Sequence, residues 1–281
     1  MNKLPPAVAG ELNEIRLRVG NPLSLSIGNR NLSINESGKL CRPEEGITVT
    51  GEEMKECLSR LTRSSLYSYD DTIKYGYIPL EGGSRAGICG DAIGGKNGIK
   101  TFSNIRSVSI RISRLYPNLA KPLADYFAAH GICGTLVFSP PGLGKTTYLR
   151  SAAYLLSRGQ KPYRVCLADE RSELYVPEMT GCLIDYVRGC TKREGIELLT
   201  RTMSPQIIIC DEISETEADG IIAAQNSGVC LIASTHGESF EGIMRRPHVA
   251  KMTEKGIFKL FVRLWFDNGY KSEIFTPSER N

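Results

Sequence analysis

The stretch that decides the fold is Gly134–Thr147, GTLVFSPPGLGKTT. The apolar run Gly134–Phe138 predicts a strand, and helical periodicity begins at about Lys145 and runs to Ser157. Between them lies a turn rich in Gly and Pro. A strand, a glycine loop and a helix in that order are what a phosphate-binding loop requires. Glycines let successive backbone N–H groups point inward at phosphate oxygens, and the helix N-terminus adds partial positive charge. Ser139, Pro140, Pro141, Gly142, Leu143, Gly144, Lys145, Thr146 and Thr147 are therefore the candidate nucleotide-binding residues. Lys145 is placed to reach the β- and γ-phosphates, and the Thr146 hydroxyl to ligate Mg²⁺. The GxxxxGK[ST] pattern departs only at its first position, where Ser139 stands; serine is tolerated there if φ stays negative.

Working outward, apolar runs at Arg164–Ala168, Ile207–Cys210 and Val229–Ala233 alternate with helical patterns at Lys192–Met203 and Ala218–Asn226. Continuous apolar strands alternating with helices predict a parallel sheet covered on both faces. Ile257–Trp265 and Tyr270–Phe275 flank Asp267-Asn268-Gly269, which reads as a terminal hairpin. Before residue 126 the pattern differs. Ile15–Val19 and Leu23–Ile27 flank Gly20-Asn21-Pro22, Thr50–Thr62 reads as a capped helix, and Tyr75–Leu80, Arg85–Cys89 and Val108–Ile112 read as short strands. The expected fold class is α/β, with a mostly parallel sheet over 126–281, preceded by a smaller α+β domain over 1–125.

Three predicted strands end in polar residues, and in a parallel sheet the strand C-termini gather where ligands bind. Ile207-Ile208-Ile209-Cys210-Asp211-Glu212 has the Walker B form: Asp211 would hold the metal's water shell, and Glu212 would polarise the attacking water. Ala168-Asp169-Glu170-Arg171 offers Glu170 as a rival base, with Arg171 to orient the water. Ala233-Ser234-Thr235-His236-Gly237 brings His236 within reach of phosphate or of an acid.

Composition excludes several classes. The chain has 281 residues, 41% of them apolar and 23% charged, so it is neither disordered nor fibrous. No apolar run approaches the roughly 20 residues that span a bilayer, and MNKLPPAVAGELNE lacks the apolar stretch of a secretory signal. A cytosolic protein that touches a membrane only peripherally, through partners, is expected. Nine cysteines occur without CxxC or zinc spacing; Cys133, Cys166, Cys210 and Cys230 sit in or beside apolar runs and read as reduced, buried thiols. The net charge of +4 is too small to mark a nucleic-acid binder by charge.

Several segments together resemble the stage III sporulation protein AA family. They are Glu14–Leu23 (EIRLRVGNPL), Ser68-Tyr69-Asp70, Gly76-Tyr77-Ile78, Arg85-Ala86-Gly87, Asn104-Ile105-Arg106, Ala168–Glu173, Arg188-Gly189-Cys190, Arg201–Pro205 and Ala233–Gly237. That family is similar to the motor ATPases of type II secretion and type IV pili. The resemblance implies a RecA-like P-loop NTPase domain that uses ATP and Mg²⁺, a homo-hexameric ring, and a place on the mother-cell face of the forespore membrane. There it would drive, gate or assemble a channel made with membrane-embedded sporulation proteins. Asp169-Glu170 and Thr235-His236 match the acidic and His boxes of those motors, in which the acidic-box glutamate is usually catalytic. Glu212 and Glu170 thus both remain candidates for the base. Ring motors also imply arginines from a neighbouring subunit, for which Arg85, Arg106 and Arg111 are candidates. Two other classes compete: an AAA+ or RecA-type ATPase acting on nucleic acid, and a docking scaffold that binds nucleotide without turnover. Against the first, no aromatic–basic stacking surface is evident, and the residues after Gly237 suggest a hairpin finish rather than a helical lid. Against the second stand Lys145 and the Asp211-Glu212 pair.

Overall fold

The computed structural model describes residues 11–28, 30–65, 69–80, 84–95, 98–224 and 228–279. Residues 1–10, Ser68 of the family-like segments, and the expected helix end at Asn226 lie outside them. The chain divides into two compact units, Met1–Ser113 and Arg114–Asn281. Residues 114–125 go with the second unit because Ala120 and Leu123 are buried in its core.

In the first unit seven strands form one sheet in the order β4-β3-β2-β1-β7-β6-β5. They are β1 (Leu12–Arg18), β2 (Ser24–Ile27), β3 (Arg30–Ile34), β4 (Leu40–Cys41), β5 (Tyr77–Pro79), β6 (Arg85–Gly95) and β7 (Gly98–Arg111). Each neighbouring pair is antiparallel. Helix α1 (Gly51–Leu61) starts where expected: the Thr50 hydroxyl accepts from the Glu53 N–H while the Glu53 carboxylate accepts from the Thr50 N–H, satisfying two otherwise orphaned donors. Its Met54 and Leu58 join the core of the sheet. A short helix α2 (Asp70–Ile73) precedes β5. Strands β6 and β7 run much further than the short strands expected at Arg85–Cys89 and Val108–Ile112. Their outer halves are mostly exposed, so no in–out alternation marks them in the sequence.

The second unit carries β8 (Thr135–Ser139), β9 (Val165–Asp169), β10 (Ile184–Arg188), β11 (Ile207–Glu212), β12 (Cys230–His236), β13 (Leu260–Phe266) and β14 (Tyr270–Phe275). The sheet order is β10-β9-β11-β12-β8-β13-β14. All pairs are parallel except the terminal hairpin β13–β14. The helices are α3 (Lys121–His130), α4 (Lys145–Leu156), α5 (Lys192–Met203), α6 (Glu215–Ala224), α7 (Phe240–Met244) and α8 (Pro247–Glu254).

Strand side chains alternate between faces, and here the alternation divides one sheet between two cores. Ile207 and Ile209 pack with Leu123 and Phe127 of α3 and Leu149 and Ala152 of α4. Ile208 and Cys210 pack with Ile196 of α5, Ile221 of α6, Ile243 of α7 and Met252 of α8. Both faces are apolar, which is why the strands read as continuous runs. Strand β10 was not expected: it lies at the sheet edge with no buried residue, and IDYVR carries two charges. Helices α7 and α8, of 5 and 8 residues, precede the hairpin and were not expected; so few turns leave little periodicity to read. Of the four cysteines read as buried, Cys166, Cys210 and Cys230 are so, while Cys133 is half-buried. Burial raises the Cys166 thiol to about 11 and the Cys230 thiol to about 12, which keeps both unreactive.

Candidate functional site

The loop between β8 and α4 turns on two glycines with φ of +78° at Gly142 and +79° at Gly144, a backbone region L side chains rarely adopt. Gly144 is the N-cap of α4 and Lys145 its first residue. A positive side chain there opposes the helix dipole. Lys145 is nevertheless 7% exposed, and its ammonium is held by three acceptors. It donates to the carbonyls of Ser139 at 3.2 Å and Pro140 at 3.3 Å, and to His236 Nδ1 at 2.6 Å. Burial pulls the Lys145 pKa below the usual lysine range, and the Glu212 charge partly restores it. With Nδ1 accepting from Lys145, the imidazole proton lies on Nε2, which is 3.0 Å from Glu212 Oε2. Lys145, His236 and Glu212 thus form one chain across the ends of β8, β12 and β11. Thr146 and Thr147, at the start of α4, are both half-buried.

Strand β11 delivers Asp211 and Glu212 to the same edge but to different partners. Its pairing with β12 is irregular between Ile209 and Glu212, and such irregularities re-aim side chains beside functional sites. Glu212 meets His236. Asp211, 5% exposed, lies 3.4 Å from Lys192 Nζ, yet its Oδ1 accepts no hydrogen bond of good geometry. Burial raises the Asp211 pKa to about 6, with the Lys192 charge offsetting part of the effect.

Lys192 is the residue that sequence reasoning missed. It is the first residue of α5 and 5% exposed. Its ammonium lies 2.6 Å from Glu170 Oε2, 3.4 Å from Asp211 Oδ1 and 3.4 Å from Glu217 Oε1. Burial works against its charge, but the Glu170 hydrogen bond and the Asp211 and Glu217 charges outweigh it, so its pKa stands above the ordinary lysine range. Its position is set by a capping box: Thr191 Oγ1 accepts from the Glu194 N–H and Glu194 accepts from the Thr191 N–H. Thr191-x-x-Glu194 is legible in the sequence; the lysine that follows Thr191, at a helix start where the dipole disfavours it, reads as a solvated charge and gives no local sign of the acids around it.

The acidic pair after β9 separates in the same way. Asp169, 1% exposed, accepts from the N–H groups of Glu173 at 2.7 Å, Leu174 at 2.9 Å and Tyr175 at 3.2 Å, and from Arg188 Nε at 3.3 Å. It therefore organises the following loop. Glu170 is bound to Lys192, and Arg171 lines, with Glu170, Lys192 and Glu212, a cleft of about 850 Å³. In the first unit, Arg106 pairs with Asp91 at 3.3 Å, Arg111 lies 3.8 Å from Glu14, and the Arg85 guanidinium stands 5.0 Å from the Tyr77 ring centre.

This fold is that of secretion and pilus motor ATPases. The pilus retraction motor PilT with bound ADP superposes with a TM-score of 0.64 at 14% identity, covering 96% of this chain and 81% of that one. The ATPase DotB of Legionella pneumophila superposes with a TM-score of 0.62 at 13% identity, covering 95% and 77%. The chain itself belongs to the family described as sporulation stage III, protein AA, whose profile matches residues 6–273. Stage III sporulation protein AA of Bacillus subtilis (strain 168) is 33% identical over 279 residues, 94% of this chain and 86% of its own. No described helix is long and apolar enough to cross a membrane.

Proposed function

We propose that the chain is a Mg²⁺-dependent ATPase. Its second unit acts as a RecA-like P-loop NTPase domain that powers, gates or assembles a membrane channel during sporulation. The observation that carries this reading is the Lys145–His236–Glu212 chain at the head of a loop bent by Gly142 and Gly144. The loop N–H groups and Lys145 bind the triphosphate; Lys145 exchanges its carbonyl and imidazole acceptors for phosphate oxygens. His236 then loses the partner at Nδ1 and turns with Glu212, which links arrival of the γ-phosphate to placement of the base.

The residues fit Mg²⁺. The buried Oδ1 of Asp211 accepts no hydrogen bond of good geometry, although the Lys192 ammonium stands 3.4 Å away, and the Thr146 hydroxyl lies at the head of α4. Among the described residues no three acidic, His or Cys side chains form a cage of their own. Mg²⁺ is commonly held by one or two carboxylates with substrate phosphates, and Asp211 with Thr146 would hold it so. The ion supplies charge neutralisation on the phosphates. Glu212 takes a proton from water as the water oxygen bonds to the γ-phosphorus; the bond to the β,γ-bridging oxygen breaks, leaving ADP and phosphate. Glu170, tied to Lys192, is the alternative base, with Arg171 beside it.

The fold shared with pilus and secretion motors supports a homo-hexamer in which Arg85, Arg106 or Arg111 of a neighbouring subunit completes the site. Family membership supports membrane-embedded sporulation proteins as partners and a peripheral place on the cytoplasmic, mother-cell side. Nucleic acid is not among the proposed ligands. Phosphate release from purified protein in Mg²⁺ and ATP is the test: turnover by the wild type that Lys145→Ala lacks supports the reading, and equal release from both removes it. A solution mass with and without nucleotide tests the ring.

A further inference from the structure

The turn of the β13–β14 hairpin carries an aromatic pair that the reaction scheme does not use. Phe266 and Tyr270 face each other across its last rung, with ring centres 5.8 Å apart and planes at 89°. They are 63% and 47% exposed, although the other end of the hairpin is buried at Phe261 and Phe275. Because β13 runs parallel to β8, this turn stands at the same edge of the sheet as the phosphate loop.

The approach to that loop is close. Cross-strand partners share a sheet face, so Tyr270, Ser272 and Ile274 lie with Phe266, Leu264 and Val262 on the α4 side. Ile274 packs into the core there, and Ser272 stands beside the Tyr148 hydroxyl. The Tyr270 ring lies against Gly144: a Cβ at that glycine would meet its hydroxyl at 2.6 Å, Cε1 at 2.9 Å and Cζ at 3.0 Å. Two strand residues advance about 6.7 Å and one helical turn about 5.4 Å, so the step from Ser272 to Tyr270 keeps pace with that from Tyr148 to Gly144. Tyr116, 53% exposed, is near enough to join burial in raising the Tyr270 phenol's pKa.

The sheet order then sets a direction. β11 and β12, with Glu212 and His236, lie on one side of β8, and the hairpin lies on the other. A triphosphate whose γ-phosphate faces Glu212 has its nucleoside on the hairpin side. We infer that Tyr270 and Phe266 form the platform on which the base of a nucleoside triphosphate stacks. This rests on the phosphate-loop reading above. Stacking on aromatic rings is tolerant of base identity, since every base has a π-face.

The experiment titrates the full chain with Mg²⁺ and either ATP or tripolyphosphate, which has the phosphates and no nucleoside. Tyr270→Ala and Phe266→Ala should each weaken ATP binding by about 5- to 10-fold and leave tripolyphosphate binding unchanged. Tyr270→Phe, which keeps the ring, should bind ATP like the wild type. Tripolyphosphate binding also reports an intact loop, and Phe266→Ala carries the comparison if Tyr270→Ala does not fold. Equal losses for both ligands would overturn the platform, since the ring would then only prop the loop; so would ATP affinity unchanged in both alanine variants. A wild type that binds tripolyphosphate as tightly as ATP would overturn the platform alone. A wild type that binds neither ligand would overturn the phosphate-loop reading and the platform with it.

Discussion

Two charged clusters stand at the same edge of the parallel sheet and are built in opposite ways. In one, His236 and Glu212, 36% and 39% exposed at their side chains, meet each other, and His236 accepts from Lys145. In the other, Lys192 is 5% exposed and gathers Glu170, Asp211 and Glu217. The first can exchange partners at its His236–Glu212 end, where water reaches both side chains, although Lys145 itself is buried. The second cannot, since a buried charge that loses its partners is left without solvation. Glu170 and Glu212 look alike in sequence, each an acid following an aspartate at a strand end, and their side chains are about equally exposed, 35% and 39%; they differ in partner, since Glu170 is held at 2.6 Å by a buried ammonium and Glu212 meets an imidazole. This difference favours Glu212 as the base in the proposed reaction and gives Glu170 a part in fixing Lys192.

The contrast can be broken by mutation, and the largest effect is expected at its buried pole. Lys192→Met leaves three carboxylates around an apolar side chain and should destabilise the chain by about 3–5 kcal/mol in urea unfolding; a loss below about 1 kcal/mol would mean the cluster is solvated like a surface pair. Asp211→Asn comes next. The folded pKa of Asp211, about 6, lies above its reference value of 3.8, so the native state binds more protons between those values and stability is lost as pH rises through them. Above pH 6 the neutral variant should be more stable than the wild type without nucleotide, on the order of 3 kcal/mol, and the gap should narrow as pH falls towards 4. A gap independent of pH would show that Asp211 is not the titrating group. Thr191→Ala removes the cap that positions Lys192 and should lower stability by about 1 kcal/mol. His236→Gln, at the open pole, should change stability by less than about 0.5 kcal/mol while slowing phosphate release; a large loss of stability there would erase the distinction.

The parallel sheet was legible because both faces of Val165–Asp169 and Ile207–Cys210 are buried, which leaves an uninterrupted apolar signal. Lys145 and the glycines before it were legible because Gly-x-Gly-Lys-Thr stands between an apolar run and a helical pattern. Lys192 was not, since a lysine at a helix start reads as a solvated charge, and the acids that hold it come from two strands and another helix, with Glu170 22 positions away. The outer half of β6–β7 was hidden because exposure removes its alternation. The contact of Tyr270 with Gly144 joins positions too far apart in sequence for any local pattern to record.

The most direct test of the account compares phosphate release from the wild type, Glu212→Gln and Glu170→Gln in Mg²⁺ and ATP. The account predicts that Glu212→Gln binds ATP as the wild type does and releases phosphate at least about 100-fold more slowly, while Glu170→Gln loses less. Normal turnover by Glu212→Gln with turnover abolished in Glu170→Gln would contradict it.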